Sequence, residues 1–141
     1  MLVLTVGSEA RTRKYLPDLP IAREVDLVCA ERGASNDDLL AAAPDADVIV
    51  ADAIIPVDMR LIEAMPNLKL IHSEGVAFNA IDVEAARARG IAVCNCAGVN
   101  AGTVAEQAVM LMLMCLRRAL EGDRAVREGR QIALKERMMV E

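Results

Sequence analysis

At 141 residues the chain is long enough for one domain with a proper core and too short for two of ordinary size. Hydrophobic residues make up 55% and aromatics 1%, so any core must be aliphatic. The net charge of -5, with no lysine-arginine run and no aromatic platform to offset it, excludes a nucleic-acid surface.

The first residues, MLVLTVG, lack the basic stretch and cleavage pattern of a secretion signal. The apolar run 108–116 is far short of the roughly 20 residues that a membrane helix needs. A cytoplasmic protein is therefore expected, with no membrane partner. Cys29, Cys94, Cys96 and Cys115 do not form a disulfide framework in that setting. Cys94-Asn-Cys96 invites a metal reading, but no second Cys/His pair complements it and His72 is the only histidine, so buried or half-buried thiols are expected and no metal site.

Residues 2–6 form a short apolar run that ends at Gly7-Ser8, a strand and a turn. Ser8 starts a short helix through Lys14 and Tyr15, with Pro17 as its stop. A second strand lies within 21–29, clearest at 25–29. Residues 33–35 are a turn, and Ser35 with Asp38 fits a capping box for a brief helix ended by Pro44. The third strand spans 47–52, and its unbroken Val48-Ile49-Val50 suits a parallel sheet buried on both faces. Asp58 caps a helix carrying Leu61, Ile62 and Met65, with Pro66 after it. A fourth strand covers 68–72. Asp82 caps the next helix, Gly90 ends it, and 91–94 is a fifth strand.

This strict β-α-β-α alternation with short connections predicts right-handed crossovers and helices on both faces of a parallel sheet. With five strands the expected architecture is α/β, flavodoxin-like, in the order 2-1-3-4-5. Residues 1–100 would form that domain. Residues 101–141 would be a helical segment, with one long helix over 101–118 and further helix from 121 onward.

The long helix is too apolar for its place. Val104, Ala108, Leu111 and Cys115 follow one face, and Met110, Leu113 and Met114 make much of the other side apolar as well. A helix apolar all round needs cover on both sides. One side can be this domain's own sheet, and the other calls for a further domain or a second subunit. A homodimer through the 101–118 helix is the expected assembly.

Ligands of open parallel sheets bind at the carboxyl ends of the strands. Two small-residue loops stand out there. Residues 73–79 offer backbone N–H groups at Val76 and Ala77 that could hold a carboxylate as a nest does. Residues 96–103 open the long helix, whose positive end suits an anion or a polar cofactor edge. There is no G-x-G-x-x-G after a strand and no P-loop, and one histidine cannot build a nucleophilic triad. His72 is expected to be a structural histidine, Glu106 to sit favourably in the first helical turn, and Cys96 to be a passive thiol.

The ordered set Asn67-Leu-Lys-Leu-Ile71, Gly75-Val-Ala-Phe-Asn-Ala-Ile-Asp82, Ala85-Ala86, Arg89-Gly90-Ile-Ala-Val93, Asn95, Gly98, Asn100 and Val104-Ala-Glu106 resembles the D-isomer-specific 2-hydroxyacid dehydrogenases. The similarity is to their N-terminal substrate-binding (catalytic) domain. Asp47-Val-Ile-Val50 and Gly129-Arg130 fall where that family has comparable text. The resemblance implies a flavodoxin-like domain paired with a separate Rossmann domain, and NAD- or NADP-dependent interconversion of a small 2-hydroxy acid and a 2-oxo acid. It implies substrate binding by Gly75, Val76 and Ala77, and cofactor contacts from Val76, Asn100 and Thr103. The family's catalytic arginine, glutamate and histidine belong to the Rossmann domain or its far end, so no catalytic residue is assigned in this chain. The family runs on into the G-x-G-x-x-G strand about where Glu141 stands, so a piece of a longer protein, inactive alone, is expected.

The chain departs from the pattern at Ala77, where the family often has Gly, and at Asn79-Ala80, where it has Asp-Asn. Asp52-Ala53 stands where many members carry Arg-Ser, and a carboxylate there would repel an anionic substrate rather than clamp it. Two other classes fit the topology. One is a non-catalytic interaction module that dimerises through its apolar helix. The other is a receiver-type signalling domain with Asp52 as phosphoacceptor, although Gly7-Ser8-Glu9 and Asn95 replace the acidic pair and the lysine that it needs.

Overall fold

The computed structural model describes residues 1–15 and 20–138; Pro17, the expected stop of the first helix, lies outside the described residues. Its strands are β1 (Leu2–Val6), β2 (Asp26–Ala30), β3 (Val48–Ala51), β4 (Leu70–Ser73) and β5 (Ala92–Cys94). All neighbours pair in parallel, in the order β2-β1-β3-β4-β5, as the alternating pattern predicts. The connections carry α1 (Glu9–Tyr15), α2 (Asn36–Ala42), α3 (Met59–Ala64) and α4 (Val83–Ala88). The chain divides into two units, Met1–Gly98 and Val99–Glu141.

Caps written in the sequence start the helices of the first unit. Ser35 and Asp38 form the reciprocal capping box of α2. The side chains of Asp58 and Asp82 accept the N–H groups of Leu61 and Ala85, each at 2.9 Å, and so begin α3 and α4. Gly90, at φ 70°, lets the chain leave α4 in the left-handed conformation that residues with a Cβ resist. Arg89 then reaches back to the last carbonyls of α3, with Nη1 donating to Met65 O at 3.0 Å and to Ile62 O. A cation there also complements the negative end of the α3 dipole.

The core is the aliphatic layer that the composition demands. Leu4, Ile49 and Ile71 stand opposite one another on β1, β3 and β4, and all three are fully buried. Leu39, Leu61, Ile62 and Met65 cover them from the helices.

Strand boundaries differ from the sequence reading: β3 spans Val48–Ala51 rather than 47–52, and β5 begins at Ala92 rather than at 91. Of the span 21–29 expected to hold the second strand, residues 21–24 belong to a 3-10 helix (Pro20–Glu24), and β2 begins at Asp26, close to the clearest part expected at 25–29. Pro20 supplies the fixed φ that suits the first position of a helical turn. The fourth strand starts at Leu70 rather than Leu68 and includes Ser73.

Asp47 fastens one end of the sheet. Its N–H donates to Leu2 O at 2.9 Å and its carbonyl accepts from Lys69 N at 2.8 Å. Its carboxylate accepts from Leu2 N at 2.9 Å and from Lys69 Nζ at 2.6 Å. The Lys69 bond first, and the Leu2 N–H second, hold the carboxyl below its ordinary value of 3.8. A depressed carboxylate stabilises the fold above its ordinary pKa, and this contribution is lost as pH falls through the depressed one. In acid unfolding followed by circular dichroism, wild type should therefore lose stability below pH 3.8 that Asp47→Asn does not lose. Superimposable acid limbs would refute this role.

The second unit contains α5 (Ala101–Leu116), α6 (Ala119–Arg127) and α7 (Gln131–Met138). The helix expected over 101–118 ends at Leu116, because Arg118 adopts a left-handed conformation at φ 49°. Gly129, at φ 67°, then separates α6 from α7, and Arg130 N closes that turn on Ala125 O at 2.7 Å. The continuous run expected beyond 121 is thus two helices, and its last residues, 139–141, lie outside the described residues. No residue of α5 is buried, and only Ala108 and Met114 are even half-buried. Among the described residues no helix is long and apolar enough to cross a membrane.

Candidate functional site

The site begins with the segment that follows β4. Ser73, the last residue of that strand, is fully buried, and the chain then turns through 74–80. Three successive carbonyls of this turn are engaged. Gly75 O accepts Cys96 N at 2.9 Å. Val76 O accepts Asn95 Nδ2 at 2.7 Å. Ala77 O accepts Ser73 Oγ at 2.6 Å. The N–H groups of Val76, Ala77 and Phe78 find no acceptor among the described residues. Gly75 packs closely on Ala53: a Cβ at residue 75 would sit 3.1 Å from Ala53 Cβ, tighter than ordinary van der Waals contact. Gly75, Val76 and Ala77 thus lie together in one turn, in which the N–H groups of Val76 and Ala77 are unengaged and exposed while Gly75 N donates to Ser73 Oγ at 3.4 Å.

Asn100 and Thr103, the other expected site residues, belong to the second unit at the start of α5. Asn100 stands at the N-cap and its carbonyl accepts Val104 N at 2.9 Å, but its side chain makes no capping bond. Thr103 is exposed in the first turn. Glu106 is the sixth residue of α5, past the turn in which a helix dipole acts, which corrects its expected first-turn placement.

His72 lies between two thiols. Its Nδ1 is 3.1 Å from Cys94 Sγ and its Nε2 is 3.6 Å from Cys96 Sγ. The two sulfurs approach different ring nitrogens and do not converge on a point. Among the described residues no group of three His, Cys, Asp or Glu side chains is arranged to hold a metal ion.

At the carboxyl ends of β1 and β2 an open hollow of about 610 Å³ is lined by Gly7, Ser8, Cys29, Arg32 and Glu74, among others. Burial, and next the charge of Glu9, push the Cys29 thiol up from its ordinary range. Asp52, whose carboxylate is expected to repel an anionic substrate, is ion-paired: Arg32 Nη2 donates to its Oδ2 at 2.9 Å. Its repulsion of an anion is correspondingly reduced.

With this geometry in hand, comparison with known proteins is decisive. The profile of the D-isomer specific 2-hydroxyacid dehydrogenase catalytic domain matches residues 3–137. The chain belongs to this family. A D-3-phosphoglycerate dehydrogenase of Archaeoglobus fulgidus is 40% identical over 98 residues, which are 70% of this chain and 19% of that protein. A hydroxypyruvate reductase of Thermotoga maritima is 38% identical over 129 residues, covering 86% of this chain and 42% of that protein. Among solved structures, an NADPH-dependent glyoxylate/hydroxypyruvate reductase of Sinorhizobium meliloti aligns with a TM-score of 0.74 at 29% identity, over 94% of this chain and 40% of that one. An NAD-dependent formate dehydrogenase of Staphylococcus aureus, in complex with NAD, aligns with a TM-score of 0.70 at 31% identity, over 92% and 41%. The chain therefore spans less than half the length of these relatives.

Membership in the dehydrogenase family removes the receiver alternative. Asn95, which stands where a receiver needs lysine, instead bonds the loop after β4. Sequence reasoning assigned no role to three residues around this loop, Ser73, Asn95 and Arg32. Their signal was available only indirectly. Once β4 and β5 are neighbours, the loops that follow them must meet at the same edge of the sheet.

Proposed function

We propose that this chain is the substrate-binding domain of an NAD- or NADP-dependent oxidoreductase that interconverts a small 2-hydroxy acid and the corresponding 2-oxo acid. The observation that carries the reading is the 75–77 loop, whose N–H groups at Val76 and Ala77 are unengaged while its carbonyls are all bonded. Such a run of donors binds a carboxylate by charge-assisted hydrogen bonds. The substrate carboxylate would rest on Val76 N and Ala77 N, with Gly75 beside them in the turn.

The remaining parts follow from family membership. A Rossmann domain outside residues 1–141 would hold most of the dinucleotide and supply the arginine, glutamate and histidine of catalysis. Nicotinamide chemistry, the transfer of a hydride, would be supplied by that dinucleotide when bound. This chain's contribution to that group would come from Val76, Asn100 and Thr103. The uncommitted amide of Asn100 and the exposed hydroxyl of Thr103 fit it, being polar groups with no structural duty on α5. A cytoplasmic homodimer, joined through the apolar α5 region, completes the proposal.

Purified chain given NAD or NADP and a panel of glycolate, D-glycerate and D-lactate should form no reduced cofactor. The longer protein, carrying the dinucleotide domain, should oxidise at least one of them. Turnover by residues 1–141 alone would overturn this placement of the chemistry. A gene whose reading frame lacks a G-x-G-x-x-G segment beyond Glu141 would favour the interaction-module reading, which draws its own support from the fully unburied α5.

A further inference from the structure

The substrate loop does not hold its own shape; neighbouring groups hold it. A peptide unit is planar and trans, so its C=O and N–H point in opposite directions. Fixing a carbonyl therefore fixes the direction of the next residue's N–H. The Gly75 carbonyl and the Val76 N–H share one such unit, and Cys96 N holds that carbonyl at 2.9 Å. The Val76 carbonyl and the Ala77 N–H share the next, and Asn95 Nδ2 holds it at 2.7 Å. The Ala77 carbonyl and the Phe78 N–H share the third, and Ser73 Oγ holds it at 2.6 Å.

Asn95 is itself oriented. Ala97 N donates to its Oδ1 at 3.3 Å, which leaves Nδ2 as the end that faces Val76. An amide in this place is thus used in both directions, accepting within its own loop and donating across to the next. Ser73 is likewise committed twice, since Gly75 N donates to its Oγ at 3.4 Å while the hydroxyl donates to Ala77 O. Nothing else among the described residues engages these two side chains.

We infer that Asn95 and Ser73 are positioning residues, which lock the 76–77 and 77–78 peptide planes beside the 75–76 plane held by Cys96 N, so that the N–H groups of Val76, Ala77 and Phe78 form a preorganised carboxylate site. This rests on the carboxylate reading of the 75–77 loop. Without the Asn95 donor, the 76–77 peptide is free to rotate, and a half-turn would present the Val76 carbonyl to the anion in place of the Ala77 N–H. Rigid donors bind an anion better than mobile ones because less order is lost on binding.

The test is a titration of the 141-residue chain with sodium glycolate, followed by backbone amide NMR, with sodium chloride at equal ionic strength as control. In wild type the Val76, Ala77 and Phe78 amides should shift with glycolate and not with chloride. Asn95→Leu keeps the side chain's branched shape, removes its donor and adds no charge. It should bind glycolate roughly five- to tenfold more weakly, the range expected for one lost hydrogen bond. Ser73→Ala should do the same and Ser73→Thr, which keeps the hydroxyl, should restore binding. Amide shifts of β1 and β3 report the fold independently and should stay at their wild-type values. Asn95→Leu and Ser73→Ala binding within twofold of wild type would overturn the positioning roles and leave the carboxylate reading standing. Wild type showing no glycolate-specific shift at Val76 and Ala77 would overturn both.

Discussion

Replacing Ile49 by alanine is expected to lower the unfolding free energy of the first unit by about 2–5 kcal/mol. Ile49 is the middle of the ladder Leu4–Ile49–Ile71, where β3 lies between β1 and β4, and none of the three side chains reaches solvent. Truncation removes the transfer energy of three carbon atoms and leaves a void that a central strand, held by hydrogen bonds on both edges, cannot collapse to fill. The milder Ile49→Val, which removes a single methyl group, should cost only about 0.5–1.5 kcal/mol. Urea unfolding followed by circular dichroism reads both. With a slope of about 1–3 kcal/mol per molar urea, the alanine variant should move the midpoint by on the order of 1–3 M. Equal midpoints for wild type and Ile49→Ala would mean that the sheet interior is not the core of this unit.

The same strand shows why much of the fold was readable in the sequence. Val48-Ile49-Val50 is apolar without a break because a parallel strand covered on both faces has no polar side to write. The caps were equally local: Ser35, Asp58 and Asp82 each accept a hydrogen bond from an N–H three residues away, a distance that sequence spacing encodes directly. The candidate site is a different case. The Gly75-Val-Ala stretch could be named from resemblance, but what gives it shape is Asn95, 19 residues from its acceptor Val76. That contact exists because β5 docks beside β4, and no local pattern announces it. Arg32 and Asp52 are a similar case, 20 residues apart and joined because the ends of β2 and β3 face a common edge. The break at Arg118 was illegible for another reason. Arginine in the left-handed region is uncommon, and propensity alone continues the helix through it.

α5 presents the other large expected effect. Exposure of 44% at Met110, 49% at Leu111, 63% at Met112 and 55% at Leu113 leaves consecutive residues of one helix facing solvent on every side. A stretch of this kind is uncommon on a monomer and marks a surface that another one covers. Full burial of a Met or Leu side chain is worth roughly 1.5–3 kcal/mol, and a two-fold contact counts each position twice. The purified chain should therefore sediment as a dimer or larger at micromolar concentration. Met110→Lys combined with Leu113→Glu places opposite charges one turn-step apart on the helix, so the net charge is unchanged and only apolar area is lost. Because these side chains are already partly covered, a loss of at least about 3 kcal/mol across the pair of subunits is expected, or more than about 100-fold in the dissociation constant. The first unit should be untouched, so the urea midpoint of the Ile49 core serves as the internal control. A wild-type chain that sediments as a monomer would reject self-association outright. A dimer that survives both charges would place the contact elsewhere on the chain, away from α5.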